Sequence, residues 1–194
     1  MKILIANIIA LLMALIGITQ STYAQTRVAS LGAHVHGLSE LTIVIEGETL
    51  EIQFTSPAIN LVGFEHKANT KEDVAAIKIA ESQLRRDETL FLFPEGRCNH
   101  VKTSIDLASL INSDDEHAHQ KKSSTYEDHV QEGSHSDITA WYQYRCKDSA
   151  SLSSIRVAFF KLFSGIHKIQ AMWVNQTRQG AITLTPDNSI LQFR

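Results

Sequence analysis

The feature that most constrains the fold is an alternating pattern over residues 41–54. Apolar side chains at every second position predict two half-buried β-strands, and Gly47-Glu48 fits a two-residue hairpin turn with glycine first. If Glu46 pairs with Thr49, the apolar residues of the two strands meet on one face. Because a slip of one residue would turn one strand's apolar set to solvent, the sequence predicts a single register: Ile45 opposite Leu50, Ile43 opposite Ile52 and Leu41 opposite Phe54.

One amphipathic helix is predicted over residues 70–86. Thr70 lies three residues before Asp73, which is the spacing of a capping box. Apolar residues then recur at helical spacing on one side; they are Val74, Ile77, Ala80 and Leu84. The preceding residues, 58–68, contain Gly63 and predict a turn with a short helical piece.

Further strands are predicted at residues 98–107 and 137–146, on either side of a polar segment. Antiparallel pairing that sets Cys98 opposite Cys146 also sets Leu107 opposite Asp137. The apolar residues of the two strands then face opposite ways, so this pairing requires a bulge or intervening strands. Strands are also predicted at 155–160, 169–174, 181–185 and 190–193. The expected fold is α+β, mainly antiparallel β-sheet with one clear amphipathic helix.

The N-terminus predicts export. Lys2 is followed by an apolar run, residues 3–18, and Thr22-Tyr23-Ala24 offers the small residues that a signal peptidase reads. The run is short for a membrane span, and no cluster of Lys or Arg follows it. We therefore expect residues 1–24 to be a signal peptide cleaved near Ala24, and residues 25–194 to be a single periplasmic domain with no stable membrane anchor. A retained anchor is the alternative.

The charge balance gives no indication of a nucleic-acid partner. Without Lys2 the chain has 17 basic and 21 acidic residues, a net charge of about −4. No basic patch stands out along the sequence.

The two cysteines, Cys98 and Cys146, both lie in the part expected to be exported. An oxidising compartment favours a disulfide between them. A zinc site made only of cysteines needs more thiolates at closer spacing. We expect the disulfide to clamp the base of the hairpin formed by the two flanking strands.

Residues 114–137 hold four histidines among seven carboxylates and very few apolar residues. So little apolar surface cannot offset the entropy of ordering, and we expect a flexible loop over about 112–136. Neutral imidazole binds zinc, copper and nickel well, and carboxylates add ligands and negative potential. The segment is predicted to bind a transition metal reversibly, with a solvated linker as the alternative. Its candidate ligands are His117, His119, His129 and His135.

A second candidate metal site lies at His34 and His36. Extending the alternation of the hairpin backwards places both on the solvent face and puts Val35 on the core face. Two histidines at i and i+2 on a strand project side by side and can reach one ion. We expect His66 as the third ligand, with Glu65, His100 and His167 as further candidates. The alternative is that each is a surface histidine that only hydrogen-bonds the backbone.

The chain resembles the ZrgA family of exported bacterial zinc-uptake proteins. The resemblance is carried by AHVHGLSELTIVIEGETLEIQFTSPAINLVGFEH at residues 33–66, by the acidic His-rich insert with a cysteine on each side, and by WYQYRC at 141–146. It covers essentially the whole mature chain. It implies periplasmic zinc binding, with a mobile His-rich loop beside an ordered domain.

Three functions are compatible with these features. The first, which we expect, is a non-enzymatic accessory protein that binds Zn²⁺ and passes it to a zinc transporter or its periplasmic solute-binding protein. The second is a metal-dependent hydrolase with Glu40 or Glu65 as general base, although no HExxH or GxSxG motif is present. The third is a non-catalytic interaction module with the His-rich loop as a spacer. Copper or nickel in place of zinc is a variant of the first.

Overall fold

Two β-sheets organise the part of the chain that the structure describes, which is residues 35–94, 98–111, 136–147, 149 and 152–193 of a computed structural model. The strands are β1 (Leu38–Glu46), β2 (Thr49–Pro57), β3 (Phe91–Leu92), β4 (Cys98–Asp106), β5 (Asp137–Cys146), β6 (Ser154–Val157), β7 (Lys168–Val174), β8 (Gln179–Leu184) and β9 (Ile190–Gln192). The larger sheet has the order β4-β5-β2-β1-β7-β8, and the smaller has the order β3-β6-β9.

Several predicted features fall outside the described residues. They are the signal peptide, His34, and the His-rich segment with His117, His119, His129 and His135. Within the described ranges, no helix is long and apolar enough to cross a membrane.

The predicted hairpin is confirmed in every pair. Glu46 lies opposite Thr49, and the apolar pairs Ile45–Leu50, Ile43–Ile52 and Leu41–Phe54 follow in order. All six apolar residues are buried. The alternation therefore determines both the register and the buried face, because a half-buried strand pair has only one arrangement that covers its apolar side chains.

The expectation of mainly antiparallel sheet needs one correction. Strand β1 pairs with β7 in parallel from Leu38–Lys168 to Val44–Val174, so the six-stranded sheet is mixed. The remaining neighbours in both sheets are antiparallel. A parallel neighbour requires a crossover connection, and here the intervening chain supplies β2 to β6.

The predicted pairing of the two cysteine-bearing strands is confirmed, with the bulge that it required. Cys98 lies opposite Cys146, and a disulfide joins them. The register shifts between His100 and Lys102, so Val101 is extra and is 54% exposed. Beyond the bulge the pairs differ by one residue from those predicted, and Ile105 faces Ala140.

Four helices occur in the described residues: α1 (Ile59–Val62), α2 (Lys71–Leu84), α3 (Asp87–Leu90) and α4 (Phe159–Leu162). Helix α2 is the predicted amphipathic helix, and its capping box is present. Thr70 Oγ1 accepts from the Asp73 N–H at 3.0 Å, and the Asp73 carboxylate accepts from the Thr70 N–H at 3.1 Å. Helix α3 was not predicted, and residues 155–160 divide into the shorter β6 and helix α4.

The core lies between one face of the six-stranded sheet, the helices and the smaller sheet. Phe159 of α4 stacks on Phe54 of β2 with ring centroids 4.1 Å apart. Phe91 of β3 packs edge-on against Tyr142 of β5 at 5.0 Å. The Tyr142 hydroxyl donates to the Leu84 carbonyl at 2.8 Å, which fixes the end of α2 to β5. On the opposite face of the large sheet, Trp141 and Met172 are 41% and 50% exposed.

Candidate metal site

The histidine-bearing turn before β1 differs from its prediction. The predicted strand through His34 and His36 is wrong for the residues described, because β1 begins only at Leu38. Gly37 has φ +83°, and the Leu38 N–H donates to the Val35 carbonyl at 3.0 Å, which closes a turn. The positive φ rotates the chain out of the extended conformation, so Val35 is 58% exposed instead of facing the core. His36 therefore lies on a turn and not on a strand.

Three segments that are distant in sequence meet at Gly37. Its N–H donates to Asn60 Oδ1 of α1 at 2.7 Å. Its carbonyl accepts from the N–H groups of His167 at 2.8 Å and Lys168 at 2.9 Å, at the start of β7. A Cβ placed on Gly37 would lie 2.7 Å from His167 Nδ1, so only glycine allows this approach.

A buried polar network holds these segments together. Asn60 is 5% exposed, and its Nδ2 donates to the Leu38 carbonyl at 3.0 Å and to Ser56 Oγ at 3.2 Å. Ser39 Oγ donates to Ser56 Oγ at 2.8 Å. Gly165 packs directly on Asn60, since a Cβ there would lie 2.5 Å from the Asn60 carbonyl oxygen. Buried networks in which every polar group is hydrogen-bonded favour a single conformation of the segments that they join. This network therefore fixes the position of the turn that carries His36.

His36 and Glu65 are brought together by this frame. The distance from His36 Nε2 to Glu65 Oε1 is 3.5 Å, and their side chains are 59% and 18% exposed. Glu65 follows the end of α1, where Gly63 takes a left-handed conformation with φ +88° and turns the chain back. Two ligands of a tetrahedral zinc ion at ordinary bond lengths lie about 3.3–3.5 Å apart. The observed separation is compatible with two ligands of one ion, and it is equally that of an ordinary ion pair between a histidine and a carboxylate.

His66, the next residue, is exposed and has a defined ring orientation. Its ring stacks on Phe64 with centroids 4.8 Å apart. Its Nδ1 lies 3.0 Å from the Lys67 carbonyl oxygen. A carbonyl oxygen can only accept, so Nδ1 carries the hydrogen and the Nε2 of the neutral ring keeps its lone pair. An N–H bound to a carbonyl is the usual arrangement for a metal-ligating histidine.

The remaining candidates occupy different places. His167 is exposed beside Gly37, next to the His36 turn. His100 lies elsewhere, on β4 near Asp87 and Thr103. Among the residues described, no three His, Cys, Asp or Glu side chains converge as a ready-made metal site. The sequence ranked Glu65 behind His66, since only the αL bend at Gly63 reveals which of the two reaches His36.

The ends of the His-rich segment are attached to the same part of the fold. The Ala58 N–H donates to the Ser136 carbonyl, and the Ala68 N–H donates to the Leu110 carbonyl, both at 2.8 Å. Residues 58 and 68 bracket α1, Glu65 and His66. The chain therefore leaves the described structure near residue 111, and re-enters it at Ser136, beside the loop that carries the candidate ligands.

Comparison with protein-family models identifies the family of this chain. The family model described as ZrgA family zinc uptake protein matches residues 33–193, a range that contains the His36 turn, Glu65 and both cysteines. No curated protein matches the chain significantly. The resemblance noted in the sequence is confirmed over nearly its whole length, and the chain belongs to the ZrgA family of zinc uptake proteins.

Proposed function

We propose that the protein is a periplasmic accessory protein that binds zinc and passes it to a zinc transporter or its solute-binding protein. The observation that carries this proposal is the 3.5 Å separation between His36 Nε2 and Glu65 Oε1. It lies within the matched range of a zinc-uptake family. His36 follows the chain into the network around Gly37 and Asn60, and Glu65 follows α1, the helix that carries Asn60. This placement lowers the entropy cost of forming the site.

The ordered site needs at least one further ligand. His34 lies two residues before His36, and His66 follows Glu65 with its Nε2 lone pair available. We propose that these two complete the coordination. The exposed side of His36 allows zinc to enter and leave, as a protein that transfers its cargo requires.

The His-rich segment is proposed to collect zinc for this site. Its four histidines, with one close pair at His117 and His119, offer weak and reversible ligation. Both ends of the segment are bonded to the part of the chain that bears Glu65. Zinc captured by the segment therefore has a short path to the ordered site.

The proposed role is binding and transfer, not catalysis. A zinc hydrolase needs a general base that is free to activate a water molecule. Here the carboxylate best placed for that task contacts His36, and we propose that it coordinates the ion itself.

Titration calorimetry with zinc near neutral pH tests the proposal. We expect binding at micromolar zinc, and weaker binding below about pH 6.5, because protons compete for imidazole nitrogen. His36→Ala and Glu65→Gln should each weaken the ordered site by at least about 10-fold. Glu46→Gln, an exposed acid at the other end of β1, is the matched control and should change nothing.

Deletion of residues 114–137 separates the two parts of the proposal. The deletion should remove weak binding equivalents and leave the ordered site intact. If all zinc binding disappears with the segment, the ordered site is wrong. If the intact protein does not bind zinc at all, the whole proposal is wrong.

A further inference from the structure

Strand β8 is an edge of the six-stranded sheet, and it lacks the features that usually protect an edge. Within the described residues it pairs with a strand, β7, on one side only. Its sequence, QGAITL, has no charged residue and no proline, and its pairing with β7 runs without a bulge. Charges, prolines and bulges are the usual means by which the edge of a sheet avoids pairing with another chain.

The other edge of the same sheet is protected. Strand β4 has a bulge between His100 and Lys102, and Lys102 and Asp106 place charges along it. In the smaller sheet the outer strands, β3 and β9, have only two and three residues. Among the strands that the structure describes, β8 is therefore the edge that another strand can join most readily.

Alternate residues of β8 turn their backbone groups outward. The Asn175 N–H donates to the Arg178 carbonyl at the turn between β7 and β8, so these two residues form a hydrogen-bonded pair. Hydrogen-bonded and non-hydrogen-bonded pairs alternate along antiparallel strands. The N–H and carbonyl groups of Gln179, Ala181 and Thr183 therefore point away from β7. The side chains of these three residues are exposed as well.

We infer that β8 pairs with β8 of a second copy of this chain, antiparallel about a twofold axis at Ala181. In this register Ala181 lies opposite its own counterpart, and Gln179 lies opposite Thr183. Every outward N–H and carbonyl group of these three residues then gains a backbone partner. A surface that pairs with itself about a twofold axis is the isologous contact of symmetric dimers, and here it joins two six-stranded sheets into one.

The core-facing side chains of β8 fit each other in the same register. Ile182 of one copy lies opposite Gly180 of the other, in a non-hydrogen-bonded pair, where side chains approach most closely. Gly180 has no side chain, and a Cβ there would already lie 2.8 Å from the Trp173 ring. Ile182, which is only partly buried in one copy, therefore packs over Gly180 and Trp173 of the second. An axis at Ile182 instead would leave Gln179 beyond the end of the opposing strand.

Charges at the two ends of β8 complement each other in this arrangement. Arg178 precedes the strand, and Asp187 lies in the turn that follows it, between Thr185 and Asn188. Antiparallel pairing brings the start of one strand to the end of the other, so Arg178 of each copy approaches Asp187 of the other. One pair of strands of this length buries less than the ~1,200 Å² of a standard interface. The dimer is therefore weak and reversible, and it does not depend on the function proposed above.

Analytical ultracentrifugation of the mature protein tests the pairing, with a chelator present so that no metal bridges two copies. We expect a monomer–dimer equilibrium whose dimer fraction rises with protein concentration. Ala181→Lys should lower the association constant at least about 10-fold, because it sets two like charges opposite each other at the axis. A protein that stays monomeric up to millimolar concentration overturns the inference.

Met172→Lys is the matched control. Met172 pairs with Ala181 from β7 and is 50% exposed. It lies one strand in from the edge, so Met172→Lys should leave the association constant unchanged. If Met172→Lys weakens the dimer as much as Ala181→Lys does, the copies associate through the face of the sheet and the inference is wrong.

Engineered cysteines test the register. Ala181→Cys should form a disulfide between two copies on oxidation, because opposite residues of a hydrogen-bonded pair have Cα atoms about 5.5 Å apart. Thr183→Cys should not, because Thr183 lies opposite Gln179 and the two copies of Thr183 are about 14 Å apart. Equal cross-linking of the two variants, or none in Ala181→Cys, contradicts the pairing.

Discussion

The ring of His167 lies so close to Gly37 that a methyl group added at Gly37 would come within 2.7 Å of its Nδ1. Gly37→Ala should therefore lower the free energy of unfolding by about 2–3 kcal/mol, because it combines a left-handed backbone with a steric clash. Urea denaturation measures the loss. Zinc affinity should fall with it, since the His36 turn is displaced.

Gly47→Ala is the control for that change. Gly47 also has a positive φ, +56°, but nothing lies within 4 Å of the position that an alanine methyl group would take at this turn. Gly47→Ala should lower the free energy of unfolding by about 1 kcal/mol and leave zinc affinity unchanged. Equal effects of the two variants on zinc affinity would show that the Gly37–His167 contact does not organise the site.

Protonation of Asp73 in acid should lower the stability of the folded protein. Hydrogen bonding from the backbone N–H of Asn69, together with that from Thr70, lowers the pKa of the Asp73 carboxyl below its ordinary value of 3.8. A lowered folded-state pKa contributes stability that is present above the ordinary value and is lost as the pH falls through the folded value. The stability difference between wild type and Asp73→Asn should therefore narrow below about pH 4.

Urea denaturation at pH 6 and pH 3 checks the Asp73 prediction. Glu72→Gln removes a carboxylate from the same first turn of α2 and is the control. If the stability difference from wild type narrows equally for both variants, the effect comes from the general loss of negative charge and not from the capping box.

The two buried tyrosines of β5 should respond differently to loss of their hydroxyls. Tyr142→Phe leaves the Leu84 carbonyl without its donor and should cost about 1–2 kcal/mol. The Tyr144 hydroxyl faces the Asp87 carboxylate without ordinary hydrogen-bond geometry, so Tyr144→Phe should lower stability less than Tyr142→Phe. Thermal unfolding with a chelator present measures both. A comparable loss in Tyr144→Phe would show that its contact with Asp87 is as strong as the Tyr142 hydrogen bond.

The Cys98–Cys146 disulfide closes a loop across a sequence separation of 48 residues. The chain-entropy relation predicts a loss of about 4 kcal/mol on reduction or in the double serine variant. Zinc binding at His36 should survive, because the cysteines lie at the opposite end of β5 from Asp137 and Pro57. Urea denaturation with and without reductant tests this. If reductant also lowers the free energy of unfolding of the double serine variant, the loss has a cause other than the disulfide.

Sequence patterns were sufficient to predict the parts of the fold that depend on residues close to one another in the chain. The register of β1 with β2 follows from alternation and a two-residue turn, and helix α2 follows from periodicity and a capping box. The bulge in β4 could be inferred because its apolar residues conflict with those of β5. In each case the residues that decide the structure lie close in sequence or are joined by the disulfide.

The candidate metal site was harder to predict from the sequence, because it depends on glycines with positive φ that change the direction of the chain. Alternation carried backwards from Leu41 gives no sign that Gly37 takes a positive φ, so Val35 and His36 were placed on a strand. The contact between His36 and Glu65 depends on the αL conformation at Gly63. The pairing of β1 with β7 joins distant parts of the chain, and no pattern in β1 specifies its second neighbour.

That parallel pairing sets an order of assembly for the protein. The hairpin of β1 and β2 can form from adjacent sequence, but Leu38 meets Lys168 only after nearly the whole chain is available. The same late strand brings the two N–H groups that hold the Gly37 carbonyl. A chain that ends before residue 167 should retain the hairpin but lack the frame around His36, so the proposed zinc site would become available only to a molecule that has finished folding.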